Sequence, residues 1–296
     1  MVQRNITEVE LEQLLQAYEL SPTLIKTFIQ DYHLGMQGDN EKLVSIAAFF
    51  HGAMLYEEAY FFYQLAAKLQ HPEAIYMLGN YAYEGLVDEE DEAQAFHHYE
   101  RAANLGHADA MNNLADMYLN GESIEQDEQL ALEWFEKAAE KGVLEAMFTL
   151  GIMYEQGLGV DVDEQSAFNY YESAALGGDS EALFRLGTIY FTPLLNVSQN
   201  IEKAIYYFEL AAEQEQIDSI YNLAYIYEQG MSGEVNGDKA VYYYQLAAEL
   251  DDVTAVHALI RLYSEGVIIP KNEVMAKKWS NYLKDLHRYD SSTFDY

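Results

Sequence analysis

The side chains of this sequence that could act as acids, bases, nucleophiles or metal ligands do not form a catalytic pattern. No two of the eight histidines are spaced i, i+4, the separation that places two imidazoles on one helix face. His97 and His98 are adjacent, so on a helix they would point about 100° apart. Phosphate-binding glycine loops, Gly-x-Ser-x-Gly elbows and cysteines are missing as well. We therefore predict no catalytic residue, no metal site and no cofactor.

The chemistry that the sequence does favour is the binding of cations by carboxylates and aromatic rings. Acidic residues outnumber basic residues by 50 to 16, which gives a formal charge of -34, and the chain contains 26 tyrosines. Such a surface attracts cationic partners and repels nucleic acid and anionic membranes. A simpler explanation stays open, in which the acidity only keeps the protein soluble.

The N-terminus and the apolar segments of the chain indicate its cellular location. The N-terminus lacks the basic start and apolar stretch of a signal peptide. No segment approaches the ~18 consecutive apolar residues that a membrane helix needs. We expect a cytoplasmic protein with no membrane insertion and no nucleic-acid partner.

A repeat of about 36 residues positions these side chains. Its first block starts at a small anchor residue, has Leu at offset 4 and usually Gly at offset 11, and recurs with anchors at 74, 110, 146, 182, 219 and 255. Its second block is an Ala, a pair of aromatic residues and Ala-Ala, and it starts at Ala59, Ala95, Ala131, Ala167, Ala204 and Ala240, with an eroded copy at Ala276.

Both blocks have the spacing of amphipathic helices. Apolar residues at offsets 0, 4, 7 and 8 share one helix face, and the Gly at offset 11 suits a left-handed C-terminal cap. Each helix alone is too short to be stable in water, so the pairs must stack on one another. The fourth pair departs from the pattern in 191–200, an apolar loop that we expect to pack against something.

The pattern Ala-x-x-x-Leu-Gly, followed by Ala-x-x-aromatic-aromatic-x-x-Ala-Ala, resembles the Sel-one-like repeat (SLR), a relative of the tetratricopeptide repeat. The resemblance covers roughly residues 40–286 and implies an all-α fold, a right-handed α/α superhelical solenoid of antiparallel helix pairs. We divide the chain into an N-terminal helical cap (1–38), a solenoid of six to seven repeats (39–286) and a polar C-terminal tail (287–296). In the cap, Thr7 and Glu10 have capping-box spacing, and Ser21-Pro22 starts a second helix.

The resemblance also implies a partner-binding groove, lined by the first helix of each pair at offsets 2, 6 and 9 from the anchor. These offsets predict an aromatic surface edged by carboxylates, although some of the rings could instead pack against neighbouring helices. The predicted groove residues are Tyr76, Asn80, Tyr83, Asn112, Asp116, Phe148, Ile152, Glu155, Phe184, Thr188, Tyr221, Tyr225, Glu228, His257 and Arg261.

Three functions fit such a protein. The resemblance favours a non-enzymatic scaffold or adaptor that binds another protein or peptide, and the charge favours a basic partner. An immunity protein that neutralises a basic bacterial toxin is a more specific alternative. A cell-wall-related hydrolase is the second alternative, but the SLR proteins for which that activity is suggested are rich in cysteine, and this chain has none.

Overall fold

The computed structural model describes residues 7–18 and 20–292, with side chains described as far as residue 286. Within that part of the chain all regular structure is helical. The sixteen helices are α1 (Glu8–Ala17), α2 (Pro22–Met36), α3 (Asn40–Gly52), α4 (Tyr56–Lys68), α5 (Pro72–Glu84), α6 (Glu92–Asn104), α7 (Ala108–Asn120), α8 (Glu128–Glu140), α9 (Leu144–Gln156), α10 (Glu164–Gly177), α11 (Ser180–Phe191), α12 (Ile201–Ala212), α13 (Ile217–Glu228), α14 (Gly237–Glu249), α15 (Val253–Glu265) and α16 (Glu273–Ser292).

The helices follow the repeat in pairs, and each helix packs on the next one along the chain within its unit. The described chain divides into two compact units. The first unit comprises the described residues up to Ala146 together with Leu158–Val160. The second unit comprises Met147–Gly157 together with the described residues from Asp161 onward. The predicted all-α solenoid of helix pairs is confirmed. Every helix of the described residues is too short or too polar to cross a membrane.

Local sequence explains where the helices begin and end. Each second helix of a repeat from α6 onward starts after an Asp or Asn whose side chain accepts a hydrogen bond from a backbone N–H of the first turn, which stabilises the helix start. These capping residues are Asp91, Asp127, Asp163, Asn200, Asn236 and Asn272. The glycines at offset 11 adopt the left-handed conformation, as the pattern predicts; Gly85 and Gly121 have φ of 62° and 74°.

The centre of each pair is a contact between a small residue and an aromatic ring. The small residue lies at offset 5 of the first helix, and the ring lies at offset 4 from the Ala that starts the second block. A Cβ atom added at Gly151 would lie 2.5 Å from Cε1 of Tyr171. The same close approach recurs at Gly79 with Tyr99 and at Gly187 with Phe208. These rings are among the most buried side chains of the protein, so a small residue is required wherever a ring takes this place.

The predicted N-terminal helices form, with differences only at the chain ends. Thr7 and Glu10 make the expected capping box, and Ser21 caps α2 with Pro22 in its first turn.

The last helix continues to Ser292, beyond the predicted start of the polar tail at 287, because no Gly or Pro interrupts residues 273–292. Residues 1–6 of the predicted cap and 293–296 of the predicted tail lie outside the described residues.

The unusual loop at 191–200 packs against the core of its own unit, as we expected of an apolar loop. Leu194, Leu195 and Val197 lie against the cluster formed by the buried residues of α10 and α11. The loop therefore covers the core where the capping glycine of the other repeats is replaced by Pro193.

We predict that Gly151→Ala lowers the free energy of unfolding by about 2 kcal/mol, because the added methyl group displaces the buried Tyr171 ring. Gly52→Ala is the matched control, since a Cβ there meets no atom within 4 Å and alanine favours a helix over glycine. Thermal and denaturant unfolding followed by circular dichroism measure both variants. Equal stability of the two would contradict the ring contact.

Candidate functional site

The predicted groove aromatics at offset 2 are half-buried, and each packs on a ring of its own repeat. Ring centroids are 5.9 Å apart for Tyr76 and Tyr99, and 5.6 Å apart for Phe148 and Tyr171. In the next two repeats, Phe184 lies 6.1 Å from Phe208 and Tyr221 lies 5.4 Å from Tyr244. This row therefore supports the core ring and presents only its remaining face to a partner.

In the second unit, the predicted groove carboxylates already have partners within the fold. The Tyr171 hydroxyl donates to Oε2 of Glu155 at 2.7 Å, and Arg185 pairs with the other oxygen of that carboxylate. In the same way, the Tyr244 hydroxyl donates to Oε2 of Glu228 at 2.7 Å.

The Glu228 carboxylate is the more enclosed of the two. Arg261, itself a predicted groove residue, donates from Nη2 to Oε1 of Glu228 at 2.5 Å, and only 8% of Glu228 is exposed. Burial and the neighbouring carboxylate raise the pKa of Tyr244 above its ordinary range. These ion pairs leave little negative charge at Glu155 and Glu228 for a partner to bind.

Sequence reasoning missed the tyrosine partners of these carboxylates, although the repeat contains the signal. Where offset 9 is Glu155 or Glu228, the buried ring of the second helix is a tyrosine, Tyr171 or Tyr244. Where offset 9 is instead apolar, as at Leu119 and Phe191, the ring is a phenylalanine, Phe135 or Phe208. The hydroxyl is present only where an acceptor is in reach.

The other predicted groove residues of the second unit differ in exposure and contacts. Ile152 packs on the core, and the Thr188 hydroxyl donates to the carbonyl of Phe184 at 3.0 Å. Tyr225 is 37% exposed, with its ring 6.5 Å from that of Phe191. His257 is exposed. The contacts described for these four side chains do not join them to one another.

In the first unit, four of the predicted groove residues line one pocket. They are Tyr76, Asn80, Tyr83 and Asp116, and the pocket between α5, α6 and α7 has a volume of about 420 Å3. The fifth, Asn112, lies beside it and donates from Nδ2 to Oδ2 of Asp116 at 3.1 Å. The complete lining is Tyr76, Asn80, Tyr83, Glu84, Tyr99, Asn113, Asp116, Met117, Asn120 and Glu122.

Hydrogen bonds and ring stacking hold the tyrosines of this pocket in place. The Tyr99 hydroxyl donates to Oδ1 of Asn80 at 2.9 Å, and the Tyr83 hydroxyl lies 3.3 Å from Oε2 of Glu122. Tyr76 stacks on the imidazole of His107, with centroids 4.4 Å apart and an angle of 19° between the planes. The ring of Tyr83, 42% exposed, forms part of the pocket mouth.

The pocket carries negative charge that the surrounding residues do not neutralise. Burial, and then repulsion by Glu122, raise the pKa of Asp116 to about 6, against the lowering effect of the Asn112 hydrogen bond. Glu122 also raises the pKa of Tyr83. Glu84 is a third carboxylate in the lining, and no lining residue among those described is basic. A bound cation would relieve this unfavourable charge.

Across the described residues, no three His, Asp or Glu side chains are grouped so that they could hold a metal ion. Sequence reasoning missed six of the lining residues, which are Glu84, Tyr99, Asn113, Met117, Asn120 and Glu122. Tyr99 belongs to a second helix, and Glu122 follows the capping Gly121, so neither lies at an offset that lines a groove of first helices.

Comparison with known proteins identifies the repeat. The Sel1 repeat model matches seven segments, which are residues 49–71, 72–107, 108–143, 144–179, 180–215, 217–252 and 257–281. The chain belongs to the Sel1 repeat family. Sel1 repeat proteins are generally scaffolds that bind other proteins. A search of curated proteins finds no match to this chain.

Solved Sel1 repeat structures resemble the fold over most of its length. One is the protective antigen present in uropathogenic Escherichia coli strains, 25% identical over 95% of this chain with a TM-score of 0.76. The chain spans only 64% of that antigen's length. Another is a Sel1 repeat protein from Oxalobacter formigenes, 27% identical over 82% of this chain and 99% of its own, with a TM-score of 0.73.

An immunity protein of Pseudomonas aeruginosa also matches, at 23% identity over 73% of this chain and 81% of its own. Its TM-score of 0.45 is too low for the likeness to carry a functional argument.

We predict that Asp116→Asn raises the free energy of unfolding at pH 7.5 by about 2 kcal/mol. The pKa of Asp116 is raised in the folded protein, so the folded state binds the proton more tightly and the ionised carboxylate destabilises it. This destabilisation is present above pH 6 and disappears as the pH falls toward the ordinary value of about 3.9. Asn is neutral at every pH, so the advantage of the variant should vanish near pH 4.

Asp161→Asn is the control for this measurement, because Asp161 is an exposed loop residue of the other unit. Urea unfolding of both variants across the pH range measures the difference. A stability gain of Asp116→Asn that is the same at pH 4 and pH 7.5 would contradict the buried charge.

Proposed function

We propose that this Sel1 repeat protein is a non-enzymatic scaffold that holds a positively charged segment of a partner protein. The observation that carries the proposal is the pocket of the first unit, where Asp116, Glu84 and Glu122 lie among tyrosine rings with no basic residue in the described lining. Cations are attracted both by the carboxylates and by the faces of aromatic rings. The formal charge of -34 adds a long-range attraction that speeds the encounter with a basic partner.

The contrast between the two units supports the placement of this contact. In the second unit, arginines neutralise Glu155 and Glu228 from within the fold. In the first unit, the carboxylates of the pocket face tyrosines and amides instead. Among the predicted groove carboxylates, Asp116 of the first unit is therefore the one left for a partner to neutralise.

An immunity protein is one form that this function could take, since toxins that cleave nucleic acid carry basic surfaces. The acidic pocket supports binding of a cationic protein and does not distinguish a toxin from another basic partner. The pocket lining contains no Ser, Thr, Cys, His or Lys, so for the hydrolase alternative it offers no serine, threonine or cysteine nucleophile and no imidazole or amine base.

We predict that a basic dodecapeptide of mixed Arg and Lys binds the intact protein with an affinity that falls at least tenfold when salt rises from about 50 to about 500 mM. The double variant Asp116→Asn/Glu122→Gln should bind about tenfold more weakly than the native protein at low salt. Asp161→Asn, which removes an exposed charge of the other unit, should bind like the native protein. Fluorescence anisotropy of the labelled peptide measures all three.

A peptide with the same length and neutral residues in place of Arg and Lys is the negative control. Binding that is insensitive to salt, or equal in the double variant and in Asp161→Asn, would contradict the proposed function.

A further inference from the structure

The pocket of the first unit has room for a long side chain. Its volume of about 420 Å3 is near the lower end of the range for small-ligand sites in proteins. Its walls come from the inward faces of α5 and α7 and from the Tyr99 ring of α6, so it is a local feature of one repeat and the helix that follows. An extended peptide lying across the first helices would therefore insert a single residue here.

The polar groups of the pocket can accept hydrogen bonds from several directions. Asp116, Glu84 and Glu122 supply carboxylate oxygens, and Asn113 and Asn120 add amide groups. The Asn112 amide donates to Oδ2 of Asp116 at 3.1 Å, which fixes the orientation of the carboxylate. The other oxygen, Oδ1, can then accept a hydrogen bond from a ligand. A ligand that matches this arrangement needs several hydrogen-bond donors in a fixed geometry and a positive charge.

The tyrosine rings add a second requirement. Tyr83 is exposed over 42% of its surface at the pocket mouth. The orientation of the Tyr76 ring is fixed by its stacking on the imidazole of His107. A flat cation can stack on such a ring while it donates to carboxylates at its edge. An ammonium group is compact and strongly hydrated, so it gains less from a half-buried aromatic pocket.

We infer that this pocket binds the guanidinium group of an arginine side chain presented by the partner protein. The inference rests on the proposed function and names its ligand: guanidinium carries five donors in one plane, no acceptor and a permanent charge. Its donors can pair with the carboxylates of Asp116 and Glu122, and its plane can stack on the ring of Tyr83. The raised pKa of Asp116 agrees with this, because a cation held beside that carboxyl group would stabilise its ionised form.

Three pentapeptides that differ only at the central residue test the inference on the full-length protein. The central residue is arginine, lysine or citrulline, which keeps the shape of arginine without its charge. NMR spectra of the isotope-labelled protein report the site through the side-chain amide signals of Asn80, Asn113 and Asn120, which lie in the pocket. We expect the arginine peptide to shift these signals and to bind about tenfold more tightly than the lysine peptide, with no saturable binding of the citrulline peptide.

Variants of the protein separate recognition of arginine at the pocket from the long-range electrostatic attraction of cations to the acidic surface. Tyr83→Leu removes an exposed ring without opening the core, and we expect it to weaken arginine binding several-fold while lysine binding changes less. Asp116→Asn/Glu122→Gln should reduce arginine binding at least tenfold, and Asp161→Asn should leave it unchanged. Circular dichroism confirms that each variant is folded.

The failures are distinguishable. Equal binding of the arginine and lysine peptides, or shifts that avoid the three asparagines, would overturn the arginine pocket while the basic dodecapeptide could still bind in a salt-dependent way. If that dodecapeptide also fails to bind, both the proposed function and the arginine pocket are contradicted.

Discussion

The structure depends on one steric constraint, which is the close approach of an aromatic ring on the second helix of a pair to a small residue on the first. At Gly151 there is no room for even one more carbon atom beside the Tyr171 ring. Because protein interiors are packed as densely as organic crystals, this contact determines how far apart the two helices lie. Repetition of the contact every 36 or 37 residues is what makes the helix pairs alike enough to stack.

Where this ring is a tyrosine, its hydroxyl bonds a polar side chain of the first helix. A phenylalanine at this place ends inside the core, whereas a tyrosine carries its hydroxyl to the surface of the first helix. In the second unit, these hydroxyls and two arginines engage Glu155 and Glu228. In the first unit, the Tyr99 hydroxyl is bonded to Asn80 instead, and the partner that the described residues supply to the nearby Asp116 carboxylate is the Asn112 amide. The two units therefore differ in which side chain accepts the hydrogen bond of the tyrosine and in whether an arginine pairs with the carboxylate.

The sequence predicts the fold well because its signals are local and repeated. Helix starts at Asp and Asn caps, left-handed glycines such as Gly85 and the apolar stripes all depend on neighbours within one or two turns. The site is harder to predict, because its charges depend on contacts between repeats. Arg185 reaches Glu155 from offset 3, whereas Arg261 reaches Glu228 from offset 6, so no single offset identifies the arginine partner. Glu122 enters the pocket only because the chain turns back after the α7 cap.

We propose that the first unit holds a half-buried carboxylate, that of Asp116, whose charge is left for a partner to neutralise. Direct titration of the Asp116 side-chain carboxyl by carbon-detected NMR tests it, first in the free protein and then with saturating arginine peptide. We expect a pKa near 6 in the free protein and a lower pKa in the complex, since a bound cation favours the ionised form. An ordinary pKa of about 4 in the free protein, or a pKa unchanged by the peptide, would contradict it.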